Sequence, residues 1–175
     1  NKDFKSIDQL RDVESINLYS ELTNSMSEPE AFRKILAGSR DHSRTPMQWS
    51  GSDYAGFSDA EPWIGTDDDY KICNVEDQLK DEGSVLNFYR SLIRIRKAHP
   101  ALVYGDIEIT NKKVADLFTY YRRNEKQTLF IECNLSRNTI RRKGSVPSAT
   151  RLISNYPDTD SRWLRPYEAT VWRMV

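Results

Sequence analysis

At Pro100 the apolar residues change period, and that change limits the chain to an α+β organisation with helices first and strands after. Between Asp81 and His99, Leu86, Tyr89, Ile93 and Arg96 recur at helical spacing, and Leu92 and Ile95 widen the stripe. Ser84 suits the N-terminal cap, Lys97 and His99 suit the negative end of the helix dipole, and Pro100 closes the helix. Beyond it, residues 102–104, 107–110, 117–122, 128–133, 151–153 and 169–174 are short apolar or β-branched runs. Gly105, Asn111, Asn124, Gly144, Pro147 and the 155–160 stretch separate them as turn formers. This pattern predicts a small antiparallel sandwich over 100–175 and a domain boundary near Pro100.

Upstream, the chain reads as helix broken by polar residues. A helix is expected from Ser6, followed by Asp8 and Gln9, with Leu10, Val13, Ile16, Leu18 and Tyr19 as its apolar residues. A second is expected at Ser27-Glu28-Pro29-Glu30, with Phe32, Ile35 and Leu36 on one side. Gly38 would end it by adopting the left-handed conformation. From Ser39 to Ile72 periodicity is lost, while Pro46, Gly51, Gly56, Pro62 and Gly65 alternate with Met47, Trp49, Phe57 and Trp63. Structureless connections of that length are commonly functional.

Charge excludes some partners. The 175 residues carry 26 Lys+Arg and 26 Asp+Glu, so no net field draws the chain to nucleic acid or an anionic membrane. The runs Arg122-Arg123 and Arg141-Arg142-Lys143 are short enough to be solvated strand ends or turns. No apolar run approaches the length that spans a bilayer, and the first residues do not read as a signal peptide, Asn1 in place of Met pointing to a truncated or processed start. Cys73 and Cys133 lack metal-type spacing and are expected to be free, buried thiols. No cofactor is expected, and Asp67-Asp68-Asp69 lacks the alternating ligands of a calcium loop.

The segment Ser39-Arg40-Asp41-His42-Ser43-Arg44-Thr45-Pro46-Met47-Gln48-Trp49 is followed by Ala55-Gly56-Phe57 and Pro62-Trp63. Further on come Asn74-Val75-Glu76, Ser84-Val85-Leu86-Asn87-Phe88-Tyr89, Leu92-Ile93-Arg94-Ile95-Arg96-Lys97 and Val103-Tyr104-Gly105. Asn134-Leu135-Ser136, Asn155-Tyr156 and Leu164-Arg165-Pro166-Tyr167-Glu168-Ala169 complete the series. In this order the phrases resemble the maltase and oligo-1,6-glucosidase group of glycoside hydrolase family 13 over nearly the whole chain. His42, where bacterial members usually carry Asn, leans the resemblance toward fungal enzymes.

The resemblance implies a fold class: the end of a (β/α)8 TIM barrel followed by an antiparallel β-sandwich, domain C. Residues 1–99 would then be the C-terminal part of the barrel. Residues 1 to about 83 form the long loop after strand eight, with two added helices, and Ser84–His99 the eighth helix. Residues 100–175 would be domain C. Active sites of such barrels lie at the C-terminal ends of the strands, in the loops that follow them.

It also implies a chemistry. Retaining glycosidases use a carboxylate nucleophile and a carboxylic acid about 5–5.5 Å apart. In the family these end strands four and five, with a third Asp near strand seven, and in the family order all three motifs would fall upstream of Asn1. The expected parent is therefore a retaining α-glucosidase acting on α-1,4- or α-1,6-linked glucose in maltose-, isomaltose- or sucrose-like disaccharides and short oligosaccharides. This chain, without the carboxylates, is expected to be inactive.

One residue is carried over as substrate-binding: Arg40. In related enzymes the matching Arg pairs with an Asp from the loop after strand one, and both contact the glucose at the non-reducing end. The planar guanidinium can hold a carboxylate and still offer donors to sugar hydroxyls. Arg44 is expected to be an ion-pair residue outside the site, and Asp41 and His42 hydrogen-bonded loop anchors. Asn134-Leu135-Ser136 matches a glycosylation sequon, but a turn in a cytoplasmic protein is the expectation. A reading from another class remains open: a non-catalytic module binding α-glucan or protein through exposed aromatics such as Trp163 and Trp172, or a degenerate gene product.

Overall fold

Ser27 and Glu30 start the first well-packed helix. The Glu30 carboxylate accepts both the amide and the hydroxyl of Ser27, closing the start of the helix in the manner of a capping box. Pro29 lies in the first turn of this helix, α2 (Glu28–Leu36), whose Ala31 and Ile35 are buried. Ala37 caps its end in the right-handed region, and Gly38 does not take a positive φ, so the expected left-handed stop is not used.

The computed structural model describes residues 1–111, 115–142, 149–158, 160 and 162–175. Lys143 and the turns expected at Gly144 and Pro147 lie outside the described residues.

The helix expected from Ser6 divides into a 3-10 turn at Ile7–Gln9 and, after an extended step, α1 (Val13–Leu22). The physical reason is local: the Asp41 carboxylate accepts the amides of Arg11 and Asp12, which therefore do not serve a continuous helix. Val13, Ile16 and Leu18 are exposed, and α1 instead applies Tyr19 and Leu22 to α2. Phe4, Leu10, Ile35 and Ile64 form the buried cluster they pack on. Downstream, 3-10 turns at Arg40–Ser43, Asp53–Gly56 and Asp68–Lys71 articulate the aperiodic stretch. Asn74 caps α3 (Val75–Lys80) by accepting the Asp77 amide. The free amides of Val75 and Glu76 are taken by the carbonyls of Gln48 and Trp49, tying the long loop to the helix.

The long predicted helix is α4 (Val85–Ala98). Its Phe88, Leu92 and Ile95 line an apolar cavity of about 330 Å³ with Tyr120, Ile131 and Val171 of the sheet. Tyr89 and Ile93, on the other side, are exposed. Residues 102–104, expected as a strand, belong to a short helix, α5 (Pro100–Tyr104). Pro100 ends one helix and begins the next, because its missing N–H and fixed φ suit a first helical turn.

The strands are β1 (Asp106–Ile109), β2 (Leu117–Arg123), β3 (Thr128–Asn134), β4 (Ile140–Arg141), β5 (Ala149–Ser154), β6 (Trp163–Leu164) and β7 (Ala169–Met174). Five form an antiparallel sheet in the order β1-β2-β3-β7-β5, and β4 pairs with β6. The pleat sorts the side chains. Leu129, Ile131 and Cys133 face one side, where Ala101, Leu102, Tyr120, Leu152 and Val171 complete a core. On alternate positions of β3, Glu132 and Asn134 are buried among polar partners.

By packing, the chain divides into Asn1–Leu86 and Asn87–Val175, so α4 groups with the sheet. The cysteines are unpaired, but the expectation that both are buried is wrong for Cys73, which is exposed in the turn before α3; Cys133 is half-buried.

Candidate substrate-binding site

Arg40 follows directly on Ser39, whose hydroxyl accepts the Asp41 amide and starts the 3-10 turn. That turn aims the Arg40 side chain at Asp12, the last residue before α1. Asp12 Oδ1 accepts both Nε at 3.0 Å and Nη2 at 2.6 Å, and Oδ2 accepts the Arg40 amide at 3.4 Å. Ser15 Oγ donates to Asp12 Oδ2 at 2.8 Å. The pair is asymmetric in exposure: the Asp12 side chain is 4% exposed and that of Arg40 is 56%. Hydrogen bonding from Arg40 pulls the Asp12 carboxyl from its ordinary 3.8 down to about 2, against the opposing effect of burial. Glu14, largely exposed, reaches Nη2 at 3.2 Å and adds little.

Asp41 and His42 are loop anchors. Asp41 is fully buried and holds the backbone of residues 11 and 12, with Oδ2 accepting their amides at 2.6 and 2.9 Å. Its Oδ1 meets Arg44 Nη1 at 3.1 Å, and Arg44 also lies 3.7 Å from Asp12 Oδ1. Arg44 is thus an ion-pair residue beneath Arg40. His42 Nε2 bonds the carbonyl of Leu36 at 2.9 Å, and its ring leans on Phe4.

The rest of the loop is shaped by handedness. Tyr54, Ala55 and Gly56 take positive φ in succession, at 50°, 59° and 65°. This places the Ala55 carbonyl to accept the amides of Trp49 and Ser50 at 2.8 and 3.0 Å. Trp49, Phe57 and Trp63 stand exposed. Asp67 accepts the amide of Asp68, and Asp69 accepts from Gln48 Nε2, so the acidic run is a hydrogen-bonded turn. Among the described residues no three His, Cys, Asp or Glu are grouped to hold a metal ion, and no helix is long and apolar enough to cross a membrane.

Of the sequon and the two tryptophans, Asn134 is buried and Trp172 is half-buried. Asn134 is 2% exposed. Its Nδ2 donates to the carbonyls of Asn138, Leu164 and Arg165, while Oδ1 accepts from the amide and hydroxyl of Ser136. Trp172 is not an exposed platform: its indole N–H is bonded to Glu132 and Arg142 sits over its ring. Trp163 alone of the two is exposed.

Residues 9–105 match the alpha amylase catalytic-domain family. The chain belongs to that family, glycoside hydrolase family 13. It is 40% identical to a trehalose-6-phosphate hydrolase of Escherichia coli over 98% of its own length and 32% of that protein's. It is 37% identical to a probable oligo-1,6-glucosidase of Bacillus subtilis over 97% of itself and 32% of the relative. Among solved structures it superposes on a trehalose-6-phosphate hydrolase of Bacillus licheniformis with a TM-score of 0.88 at 32% identity, covering 97% of this chain and 33% of that one. The chain therefore spans about a third of the relatives it matches, and its fold is that of a barrel's final part with an antiparallel β-sandwich. These relatives are bacterial, so the fungal lean drawn from His42 has no support. A His that anchors Leu36 and packs on Phe4 serves local structure, which carries no lineage.

Arg40 was visible in the sequence. Asp12, its partner within this chain, was not, because 28 residues separate the two. The only local sign is an Asp placed just before a helix that does not use its side chain as a cap.

Proposed function

We propose that this segment is the C-terminal third of a retaining α-glucosidase that removes terminal α-1,4- or α-1,6-linked glucose from maltose-, isomaltose- or sucrose-like substrates. Residues 1–99 would close the catalytic barrel and 100–175 form domain C, with the protein acting in the cytoplasm. Arg40 would contact the glucose at the non-reducing end. The observation that carries this reading is the Arg40 guanidinium, fixed on a buried carboxylate yet half exposed at the start of the long loop. A charged fork held in that way can donate to sugar hydroxyls while excluding a longer chain. The carboxylates for bond cleavage would come from outside these residues, so the segment alone would not hydrolyse glucosides.

A narrower substrate has a specific observation in its favour. The 40%-identical relative is named a trehalose-6-phosphate hydrolase, which supports a phosphorylated disaccharide as a second candidate beside the neutral ones. Assay of the full-length enzyme against maltose, isomaltose, sucrose and trehalose 6-phosphate separates the two. Preference for a neutral α-glucoside supports the first reading, and turnover confined to the phosphorylated sugar supports the second. No turnover of any α-glucoside would overturn both.

A further inference from the structure

We propose that Asp12 is a positioning residue for substrate binding, acting through Arg40 and resting on the assignment of Arg40 to the sugar site. Arginine is a poor anchor when left to itself, because its long side chain samples many rotamers and binding must stop them. Here the sampling is stopped beforehand. Asp12 Oδ1 takes the Nε and Nη2 donors together, and Oδ2 takes the backbone amide of the same residue, so both ends of Arg40 are clamped on one carboxylate. Nη1 makes no hydrogen bond or ion pair among the described residues, and the Arg40 side chain as a whole is 56% exposed.

The clamp is itself held. Ser15 Oγ fixes Oδ2. The fully buried Asp41 fixes the peptide from which Asp12 projects, through the amides of Arg11 and Asp12. Position therefore passes from Asp41 to the backbone at 11–12, from there to the Asp12 carboxylate, and from Asp12 to one edge of the guanidinium. The edge left over is the one that can address a ligand acceptor. Asp12 is too buried to touch the ligand itself. Its ionised state is secured by Arg40, so the clamp is charged throughout the neutral range.

The test is a double-mutant cycle in the full-length enzyme, with KM and kcat measured separately on maltose or on the preferred disaccharide. Asp12→Asn keeps the shape and removes the charge, and should raise KM roughly 10-fold with a smaller change in kcat. In the Arg40→Ala background the same substitution should have almost no further effect, because the residue it acts through is gone. Multiplying effects in the double variant, or wild-type KM for Asp12→Asn beside an impaired Arg40→Ala, would overturn the positioning role alone. Wild-type kinetics for Arg40→Ala would overturn the assignment of Arg40 and the inference together. Should Asp12→Asn not fold, Ser15→Ala removes one hydrogen bond from the clamp and should raise KM about 3-fold. An unchanged KM there would count against the proposal.

Discussion

Glu132 on β3 accepts the indole N–H of Trp172 on β7 at 2.8 Å, and the same carboxylate forms an ion pair with Arg142. Arg142 Nη2 also reaches Glu168 Oε1 at 3.2 Å. All three charged groups are almost wholly buried, so two carboxylates depend on one cation from the segment after β4. Of these two carboxylates Arg165 supports Glu168 alone, from a half-exposed position, and it also pairs with Asp158.

Replacing Arg142 by Ala should therefore destabilise the chain more than its charge count suggests. A buried ion pair broken on one side costs about 3–5 kcal/mol, since the remaining charge loses both partner and water. Urea unfolding of wild type and Arg142→Ala measures it. A loss below about 1 kcal/mol would mean that solvent or another cation reaches Glu132.

Arg40→Ala in the full-length enzyme should lower kcat/KM by ~10–100-fold on a non-reducing-end glucoside. Steady-state kinetics on maltose and isomaltose give the number directly. A change within experimental scatter would remove Arg40 from the sugar site.

Asp12 should make the first unit acid-labile in a defined window. Its carboxyl titrates near 2 when folded and near 3.8 otherwise, so between those values the unfolded chain binds the extra proton. Stability from this group is complete above about 3.8 and is lost as pH falls toward 2. Urea midpoints taken from pH 2 to 5 should fall more steeply for wild type than for Asp12→Asn. Parallel curves would show that the pair does not form in solution.

Gly105→Ala is expected to destabilise for steric reasons alone. The residue has an ordinary φ of −72°, but a Cβ would stand 2.5 Å from the carbonyl oxygens of both Ala101 and Arg123. These are backbone atoms of α5 and β2 and cannot step aside, so a cost of about 1–3 kcal/mol is expected. A thermal melt unchanged from wild type would show that α5 can lift from the sheet.

Limited proteolysis should respect packing more than the domain boundary expected near Pro100. Asp81, Glu82 and Gly83 are exposed between α3 and α4, whereas Phe88, Leu92 and Ile95 share a cavity wall with the sheet. The resistant product of the isolated chain should begin between residues 81 and 87 and keep α4. A product starting at Pro100, identified by mass spectrometry, would separate α4 from the sheet.

What could be seen in advance was what sequence encodes locally. Ser27, Pro29 and Glu30 state the start of α2, and the runs at 117–122, 128–133 and 169–174 alternate long enough to mark β2, β3 and β7. The β4–β6 pair was missed because two residues per strand cannot display a period. Val103 and its neighbours read as strand by composition, yet Pro100 at a first helical turn decided for helix. Arg40 stood in a recognisable phrase, while Asp12 meets it only when the start of α1 and the loop after α2 come together.

The three left-handed residues at 54–56 set a limit of another kind. Ala55 is fully buried and at Gly56 a Cβ would fall 2.5 Å from Ser50 Oγ, so neither position has room to drift. Valine, isoleucine and threonine are disfavoured across all three by backbone handedness before any ligand is considered. Mutational tolerance in this loop is therefore divided. The side chains of Trp49, Phe57 and Trp63 are exposed and free of the handedness constraint, while the tripeptide between the first two admits few residue types. A library that randomises the loop for altered recognition should leave 54–56 untouched, and most of its folded members will be those that did.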